Sequence, residues 1–271
     1  HRDLHSFPTR RSSDLRTETP SLYRRMLDDA LWLGRPEERI HAWGKANMDA
    51  YQAAFEEARR AHRRPPSVVA YVMRCLGKVL EGQKHLLAAS YGNKWLIPEK
   101  VDIALVMEAK MPDNIWLPWY WVFERVEEKG AKVIEDELIS AAKKLRRNPV
   151  KMPPGTQIFL TLPQSFRRIL YNLCKPFFRR YFAEMQTKVG ITSLTHVSKR
   201  DGYGQSPSLF TLQVVIGVLH KQEEKWQINI SFSANHRMMD GIAFTKLMES
   251  LGDELESGRC LKEFLPENQN E

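Results

Sequence analysis

Residues 209–241 decide the fold of this chain, and they read LFTLQVVIGVLHKQEEKWQINISFSANHRMMDG. A strongly apolar run at 209–219 is followed by a polar turn and then by the alternating run 226–233. Two such runs joined by a short polar turn predict an antiparallel β-hairpin. The apolar periodicity of residues 242–255 predicts a helix directly after it. His236 is therefore expected on a turn between a strand and a helix.

A histidine on such a turn can act as a general base. A neutral imidazole takes up a proton near neutral pH, which suits the activation of a thiol or a hydroxyl for attack on an acyl group. The carboxylate of Asp240, four residues later, would cap the helix or pair with an arginine and brace the loop. In the alternative interpretation, His236 is an ordinary surface residue and Asp240 is a plain N-cap.

An acyl transfer also needs a group that stabilises the oxyanion of the tetrahedral intermediate. A hydroxyl on a neighbouring strand would serve, and the predicted strand 189–197 contains Thr192, Ser193 and Thr195. Side chains two residues apart on a strand point the same way, so Ser193 and Thr195 are expected on one face.

The rest of the chain mixes predicted helices and strands. Apolar periodicity predicts helices at 21–33, 68–87 and 124–146, and a composition rich in Ala, Glu and Arg predicts one at 50–62. Strands are expected at 39–48, at 101–108 and at the very aromatic run 116–123. Asp49 is expected to be the N-cap of the second helix. Pro163 and Pro176 are expected to divide residues 158–182 into two short helices. Because strands gather near the end and include a hairpin, we predict a layered α/β fold with a mixed sheet.

Composition limits the class of protein. The 271 residues are 42% hydrophobic and 27% charged, which is ordinary for a soluble globular protein. No apolar run approaches the roughly 20 residues of a membrane-spanning helix. Cys75, Cys174 and Cys260 suit neither a disulfide framework nor a metal site, which indicates reduced thiols and a cytoplasmic location. The formal net charge of +8 allows an anionic partner such as a phosphorylated cofactor.

One domain is expected over residues 16–265, with 266–271 as a tail. Residues 1–15 are expected to lie outside the fold. The reason is that HSFPTRRSSDL, at positions 5–15, resembles the translation of a sequencing adapter.

Residues 231–251, SFSANHRMMDGIAFTKLMESL, resemble the C-terminal signature of the 2-oxo acid dehydrogenase acyltransferases. These are lipoamide acyltransferase components, related in fold to chloramphenicol acetyltransferase. The family pattern is a strand ending in Ser-x-Asp-His-Arg, then two apolar residues, then Asp-Gly-Ala. The chain matches it at Ser233, His236, Arg237, Asp240 and Gly241. The likeness is strong here and extends loosely over most of residues 21–258.

The resemblance implies a chloramphenicol acetyltransferase-like sandwich with a mixed sheet and a C-terminal hairpin. It also implies an acyl transfer between a coenzyme A or lipoyl thioester and an acceptor thiol or hydroxyl. His236 would be the general base, Asp240 would hold the active-site loop, and the oxyanion-stabilising hydroxyl would be Thr195, with Ser193 as the second choice. The family further implies a homotrimer or a higher assembly of trimers, with the site between subunits, and no metal.

The chain departs from the family pattern in three ways. Asn235 replaces the aspartate before the histidine, and the turn 198–202, SKRDG, replaces a Gly-Met-Phe-Gly turn. No lipoyl domain or Pro/Ala-rich linker precedes the matching region, so the acyl donor would be free acyl-CoA or a lipoyl group on a separate protein. These departures favour, as the alternative, a catalytically inactive scaffold or assembly subunit of the same fold.

Two arginine pairs are candidates for an anionic ligand. Arg167 with Arg168, and Arg179 with Arg180, could bind the phosphates of coenzyme A. The plainer interpretation is a solvated face beside an apolar one. A basic amphipathic surface that meets a membrane is a third, less favoured interpretation. Basic residues do not alternate with aromatic ones in the pattern typical of nucleic-acid binding.

Overall fold

The computed structural model describes residues 19–33, 38–112, 114–195, 197–205 and 209–262. Residues 1–15, which resemble a sequencing adapter, and the tail 266–271 lie outside the described residues.

Strands and helices alternate along the described chain much as the patterns predict. The strands are β1 (Arg39–Asn47), β2 (Ala89–Tyr91), β3 (Lys94–Leu96), β4 (Ile103–Lys110), β5 (Trp116–Phe123), β6 (Val189–Ser193), β7 (Leu212–Gln222) and β8 (Lys225–Asn235). The helices are α1 (Leu22–Leu33), α2 (Asp49–Arg60), α3 (Val68–Glu81), α4 (Ala131–Arg147), α5 (Pro154–Thr161), α6 (Gln164–Cys174), α7 (Arg179–Gln186) and α8 (Gly241–Ser257).

Within the described residues, six of the strands form one sheet in the order β1-β8-β7-β6-β4-β5, and β2 pairs with β3 in a separate two-stranded sheet. Strand β6 runs parallel to both β4 and β7, whereas the other neighbours in the six-stranded sheet are antiparallel. The predicted mixed sheet and the predicted C-terminal hairpin are both confirmed.

The hairpin β7–β8 supplies the centre of the core. Ile228, Ile230 and Phe232, at every second position of β8, are buried in the main hydrophobic cluster. Alternation of this kind directs one face of a strand to the helices. Glu223 and Glu224 form the two-residue turn with φ of +49° and +67°, the left-handed conformations that match the twist of a tight hairpin.

Helix α3 lies between α4 and α8 over that face of the sheet. Its N-cap is Ser67, whose hydroxyl accepts a hydrogen bond from the Ala70 amide at 3.2 Å and contacts the buried carboxylate of Glu135. Tyr71 donates a hydrogen bond to the Leu255 carbonyl oxygen of α8 at 2.6 Å. The helix ends before Gly82, so the predicted helix 68–87 is too long.

Four other predicted boundaries are wrong for local reasons. Asp49 is the first residue of α2 rather than its N-cap, and its carboxylate accepts a hydrogen bond from the Trp226 amide instead. The helix predicted at 124–146 starts later, because Arg125 has a left-handed φ of +54°. Residues 154–186 form three short helices rather than two. Strand 189–197 ends at Ser193, where the chain turns.

A buried ion pair attaches α6 to α1. The Arg167 guanidinium donates to both carboxylate oxygens of Asp29, at 2.6 and 2.9 Å, and to the Leu162 carbonyl oxygen at 2.6 Å. Both charged side chains are almost fully buried. The carboxylate raises the pKa of Arg167. A buried charge with its donors engaged in this way holds its helix in a defined position.

Asp29→Asn should therefore lower the free energy of unfolding by about 3–5 kcal/mol, because it leaves the Arg167 charge buried without a counter-charge. Urea denaturation followed by circular dichroism measures the loss. The matched control is Glu184→Gln, which breaks the exposed pair Arg180–Glu184 and should cost less than about 1 kcal/mol. Equal losses in the two variants would contradict the structural role of the buried pair.

Candidate active site

The chain between β8 and α8 forms a tight turn that is anchored at both ends. The Asn235 carbonyl oxygen accepts hydrogen bonds from the amides of Met238 and Met239 at 3.0 and 3.1 Å, and its side-chain oxygen accepts one from Arg237 at 3.0 Å. Met239 is buried in the main core, whereas His236 is exposed. The turn thus presents His236 to solvent from a rigid base.

The imidazole of His236 has a defined hydrogen bond. Its Nδ1 lies 3.2 Å from the carbonyl oxygen of Met239. A carbonyl oxygen only accepts, so Nδ1 must carry the proton, and Nε2 of the neutral ring keeps its lone pair. The main-chain amide of His236 donates to the Glu38 carbonyl oxygen at 2.9 Å, which fixes the residue from the other side. This arrangement is competent for general-base chemistry at Nε2.

Asp240 caps α8. Its Oδ1 accepts a hydrogen bond from the Ala243 amide at 2.8 Å, and its backbone is extended, as an N-cap requires. Among the described residues, no arginine forms an ion pair with it. The Asp240 carboxylate was predicted either to cap the helix or to pair with an arginine, and the structure shows the helix cap. The cap sets where α8 begins and so fixes the far end of the His236 turn.

Arg39 of β1 braces the end of β8 that leads into this turn, and the sequence patterns missed it. Its guanidinium donates to the Ser233 hydroxyl and carbonyl oxygens, both at 2.7 Å, and to the Phe210 carbonyl oxygen at 2.9 Å. Burial lowers the pKa of Arg39 to about 10. An arginine at the first position of a predicted strand was the only signal available, and it belongs to no motif.

Ser193 and Thr195 are brought together by a turn. Their hydroxyl oxygens lie 2.8 Å apart, and the Thr195 amide donates to the Ser193 hydroxyl at 3.3 Å. Both side chains are half-buried. Because β6 ends at Ser193, the expected strand alternation is not what pairs them. Thr192 turns to the other face of the sheet, where Gln213 donates to its hydroxyl at 3.2 Å.

Within one chain the hydroxyl pair and His236 lie far apart. Ser193 of β6 pairs with Ile216 of β7 in the sheet. Ile216 in turn pairs with Ile230 of β8. His236 follows Ile230 by six residues, which is roughly 20 Å along a strand at about 3.3 Å per residue. A single copy therefore cannot bring the imidazole and these hydroxyls to the same acyl group.

The four predicted arginines have different environments. Arg167 is committed to Asp29, so it is not available to a phosphate. Arg168 lies 3.7 Å from the Asp28 carboxylate and stacks over the Trp32 ring at 5.3 Å. Arg180 pairs with Glu184 at 2.8 Å on the surface. For Arg179, no hydrogen bond or ion pair is found within the described part of the chain.

Arg179 lines a cleft of about 380 Å³ beside the His236 turn. Asn235, the residue before the histidine, lines the cleft, and so does Lys175, a basic residue outside the two predicted arginine pairs. The remaining lining residues are Ser90, Gly92, Asn172, Pro176, Phe182, Ala183 and Gln186. This cleft offers two cationic groups to an anionic ligand close to the turn.

No protein-family model matches the chain, and no curated protein matches it in sequence. Its structural neighbours are catalytic cores of 2-oxoacid dehydrogenase acyltransferases. A probable dihydrolipoamide acetyltransferase from Listeria monocytogenes superposes with a TM-score of 0.65 at 13% identity, covering 91% of this chain and 96% of that one. The truncated catalytic core of the 2-oxoacid dehydrogenase multienzyme complex from Thermoplasma acidophilum gives 0.65 at 14% identity, covering 90% and 99%.

A third neighbour is the dihydrolipoamide acetyltransferase of Azotobacter vinelandii. Its TM-score is 0.64 at 16% identity, over 96% of this chain and 100% of that one. A serine, a histidine and an asparagine of that enzyme have been investigated for roles in its catalytic mechanism, and the asparagine lies four positions after the histidine. At these identities the likeness shows a shared fold, and it confirms the predicted acyltransferase-type architecture.

Asp240→Ala should lower the free energy of unfolding by about 1 kcal/mol, because the first amides of α8 lose their cap. Asp240→Ser should lower it by only a few tenths of a kcal/mol, because a serine hydroxyl also caps a helix. Thermal denaturation of both variants measures the difference. A loss equal for alanine and serine would contradict the capping role.

Proposed function

We propose that this protein is an acyltransferase that moves an acyl group between a thioester and an acceptor thiol or hydroxyl, with His236 as the general base. The observation that carries the proposal is the hydrogen bond from His236 Nδ1 to the Met239 carbonyl oxygen. It leaves the Nε2 lone pair on an exposed turn, where it can take a proton from an incoming thiol.

The chemistry then follows from the groups present. Nε2 takes the proton of the attacking thiol, and the sulfur attacks the acyl carbonyl carbon to form a tetrahedral intermediate. A hydroxyl of Thr195 or Ser193 donates to the oxyanion. As the intermediate collapses, the carbon–sulfur bond to the donor breaks and the imidazolium returns the proton to the leaving thiolate. His236 ends in its starting form.

The neighbouring structures support the assignment of His236. The histidine and asparagine investigated in the Azotobacter vinelandii enzyme have the same spacing as His236 and Asp240. The histidine turn of this chain follows β8, an inner strand of the six-stranded sheet. In this proposal Asp240 positions His236 through the helix cap, because its carboxylate is engaged with the Ala243 amide.

The distance within one chain implies a site shared between copies. We place His236 of one copy opposite Ser193 and Thr195 of the next, in a homotrimer or a higher assembly of trimers. One of the neighbours supports assembly, since it is the truncated catalytic core of a multienzyme complex. A closed ring of three copies repeats one heterologous contact and so completes three identical sites.

For the thiol substrate we propose coenzyme A, with the lipoyl group of a separate protein as the other partner. Its phosphates would lie in the cleft with Arg179 and Lys175, two cationic groups beside the histidine turn. Fixed cations of this kind bind phosphate oxygens. A cytoplasmic location is part of the proposal, and it is supported by free thiols at Cys75, Cys174 and Cys260.

The second candidate is an inactive scaffold subunit of the same fold. Asn235 favours it, because in the resembled family an aspartate stands there, and here its side chain only accepts a bond from the turn. A scaffold would keep the assembly and lose the reaction.

His236→Ala should lower thioester turnover by about 10²–10⁴-fold if His236 is the general base. The measurement is coenzyme A release from a panel of acyl-CoA thioesters, with His85→Ala, an exposed histidine elsewhere on the surface, as the matched control. Unchanged turnover in His236→Ala, with the assembly intact by light scattering, would contradict His236 as the general base. Absence of turnover in the unmodified chain, with the assembly intact, would favour the scaffold.

Subunit mixing tests the shared site. The His236→Ala chain and the Ser193→Ala/Thr195→Ala chain should each be impaired alone. On co-expression, about a quarter of the contacts between neighbouring copies should join an intact His236 to intact hydroxyls, and activity should return at those sites. The control is mixing of the two after each has assembled separately, which should restore nothing. Absence of recovery on co-expression would exclude a site between copies.

A further inference from the structure

Helices α5 to α7 expose an unusual number of large apolar side chains. We call this surface the apolar ridge; it consists of Ile158, Phe166, Ile169, Leu173, Phe177, Phe178 and Tyr181. Phe177, at the turn between α6 and α7, is 86% exposed. Single exposed apolar residues are ordinary on a protein surface, but a contiguous set marks an interaction site.

The outward direction of the ridge follows from how α6 is attached. Phe166, Ile169 and Leu173 recur at helical spacing along one side of α6. The opposite side is held to the body by Arg167, which binds Asp29, and by Tyr171, whose ring contacts Trp32 and Phe159 at centroid distances of 6.5 and 5.1 Å. The helix therefore buries an ion pair and turns its apolar stripe to solvent.

The ridge lies in a strongly basic segment. Residues 154–188 contain six Lys or Arg and one acidic residue, Glu184, a formal charge of +5 out of the chain's +8. Arg167, Arg168 and Lys188 pair with aspartates outside this segment. Of these basic residues, Lys175, Arg179 and Arg180 are exposed and lie next to Phe177, Phe178 and Tyr181 in sequence. Only Arg180 among them pairs with a carboxylate within the described chain.

This combination fits one kind of partner. An anionic lipid surface accepts aromatic and aliphatic side chains at its boundary and attracts the Lys and Arg beside them. A second copy docked face to face would instead place these basic residues against each other. The one acidic residue of this segment, Glu184, is already paired with Arg180. Charge complementarity thus selects the membrane over self-association through the ridge.

We propose that the apolar ridge docks this protein on the surface of an anionic membrane. Phe177 and Phe178 enter the headgroup boundary, and Lys175, Arg179 and Arg180 contact acidic headgroups. The contact is peripheral, since no described helix is long and apolar enough to cross a bilayer. The apolar side chains of the ridge lie outside the proposed acyl-transfer site, so the docking does not depend on whether His236 is catalytic. Lys175 and Arg179 are shared with the cleft proposed for the coenzyme A phosphates.

Vesicle co-sedimentation of the full chain tests the proposal. Binding is expected to vesicles of phosphatidylcholine with phosphatidylserine, and to fall as salt rises because the charge attraction is screened. Phe177→Ser/Phe178→Ser should weaken partitioning by more than about tenfold through lost apolar burial. Lys175→Gln/Arg180→Gln should weaken it by about 25-fold, at about fivefold for each basic residue.

Matched controls lie on α4, where Val133 is an exposed apolar residue and Lys132 an exposed basic one. Val133→Ser and Lys132→Gln should bind vesicles as the unmodified chain does. Absence of sedimentation with anionic vesicles would overturn the proposal, and so would equal binding by the ridge variants. If the ridge variants change the mass of the assembly in solution and the unmodified chain does not bind vesicles, the ridge is a contact between copies and the membrane proposal fails.

The chain carries a suitable native reporter. Cys174 is an exposed free thiol at the end of α6, whereas Cys75 and Cys260 are buried. An environment-sensitive fluorophore attached to Cys174 should shift to shorter wavelength with anionic vesicles and stay unchanged with phosphatidylcholine alone. An unchanged spectrum in both would place the ridge in water and overturn the docking.

Discussion

The rest of the structure depends on the alternation of side chains along β8. The even-numbered residues from Ile228 to Ala234 enter the helix-covered core, and the strand is hydrogen bonded to β7 on one side and β1 on the other. A shift of one residue would reverse every one of these side chains, so the register is strongly specified. The register fixes where β8 ends, and it therefore fixes the position of His236 at that end of the sheet.

Elements with a strong hydrophobic period were predictable from the sequence, and those set by single contacts were not. The hairpin β7–β8 and helix α3 carry clear hydrophobic periods, and both occur in the regions that those periods indicate. The end of α3 at Gly82, the delayed start of α4 and the short β6 depend on particular contacts. Among these are the left-handed backbone at Arg125 and the amide of Leu194 bonded to Ile216. These element boundaries are determined by tertiary contacts that no local sequence pattern contains.

For the candidate site, the sequence predicted which groups would take part but not how the fold arranges them. The motif pointed to His236, and the strand to Ser193 and Thr195. The tautomer of the imidazole depends on the Met239 carbonyl oxygen, which is a main-chain atom without any sequence signal. Arg167 and Arg179 look alike in the sequence, yet a residue 138 positions away engages the first. Only the fold separates the structural arginine from the one that lines a cleft.

In the proposed site shared between copies, the separation of His236 from Ser193 and Thr195 within one chain determines how activity depends on dilution. A reaction centre built from two chains exists only as often as the chains are associated, so its abundance follows mass action. Specific activity per chain would then fall as the protein is diluted below the dissociation constant of the assembly. The cell could regulate such a centre through expression level alone, with no effector and no change in the conformation of a single copy.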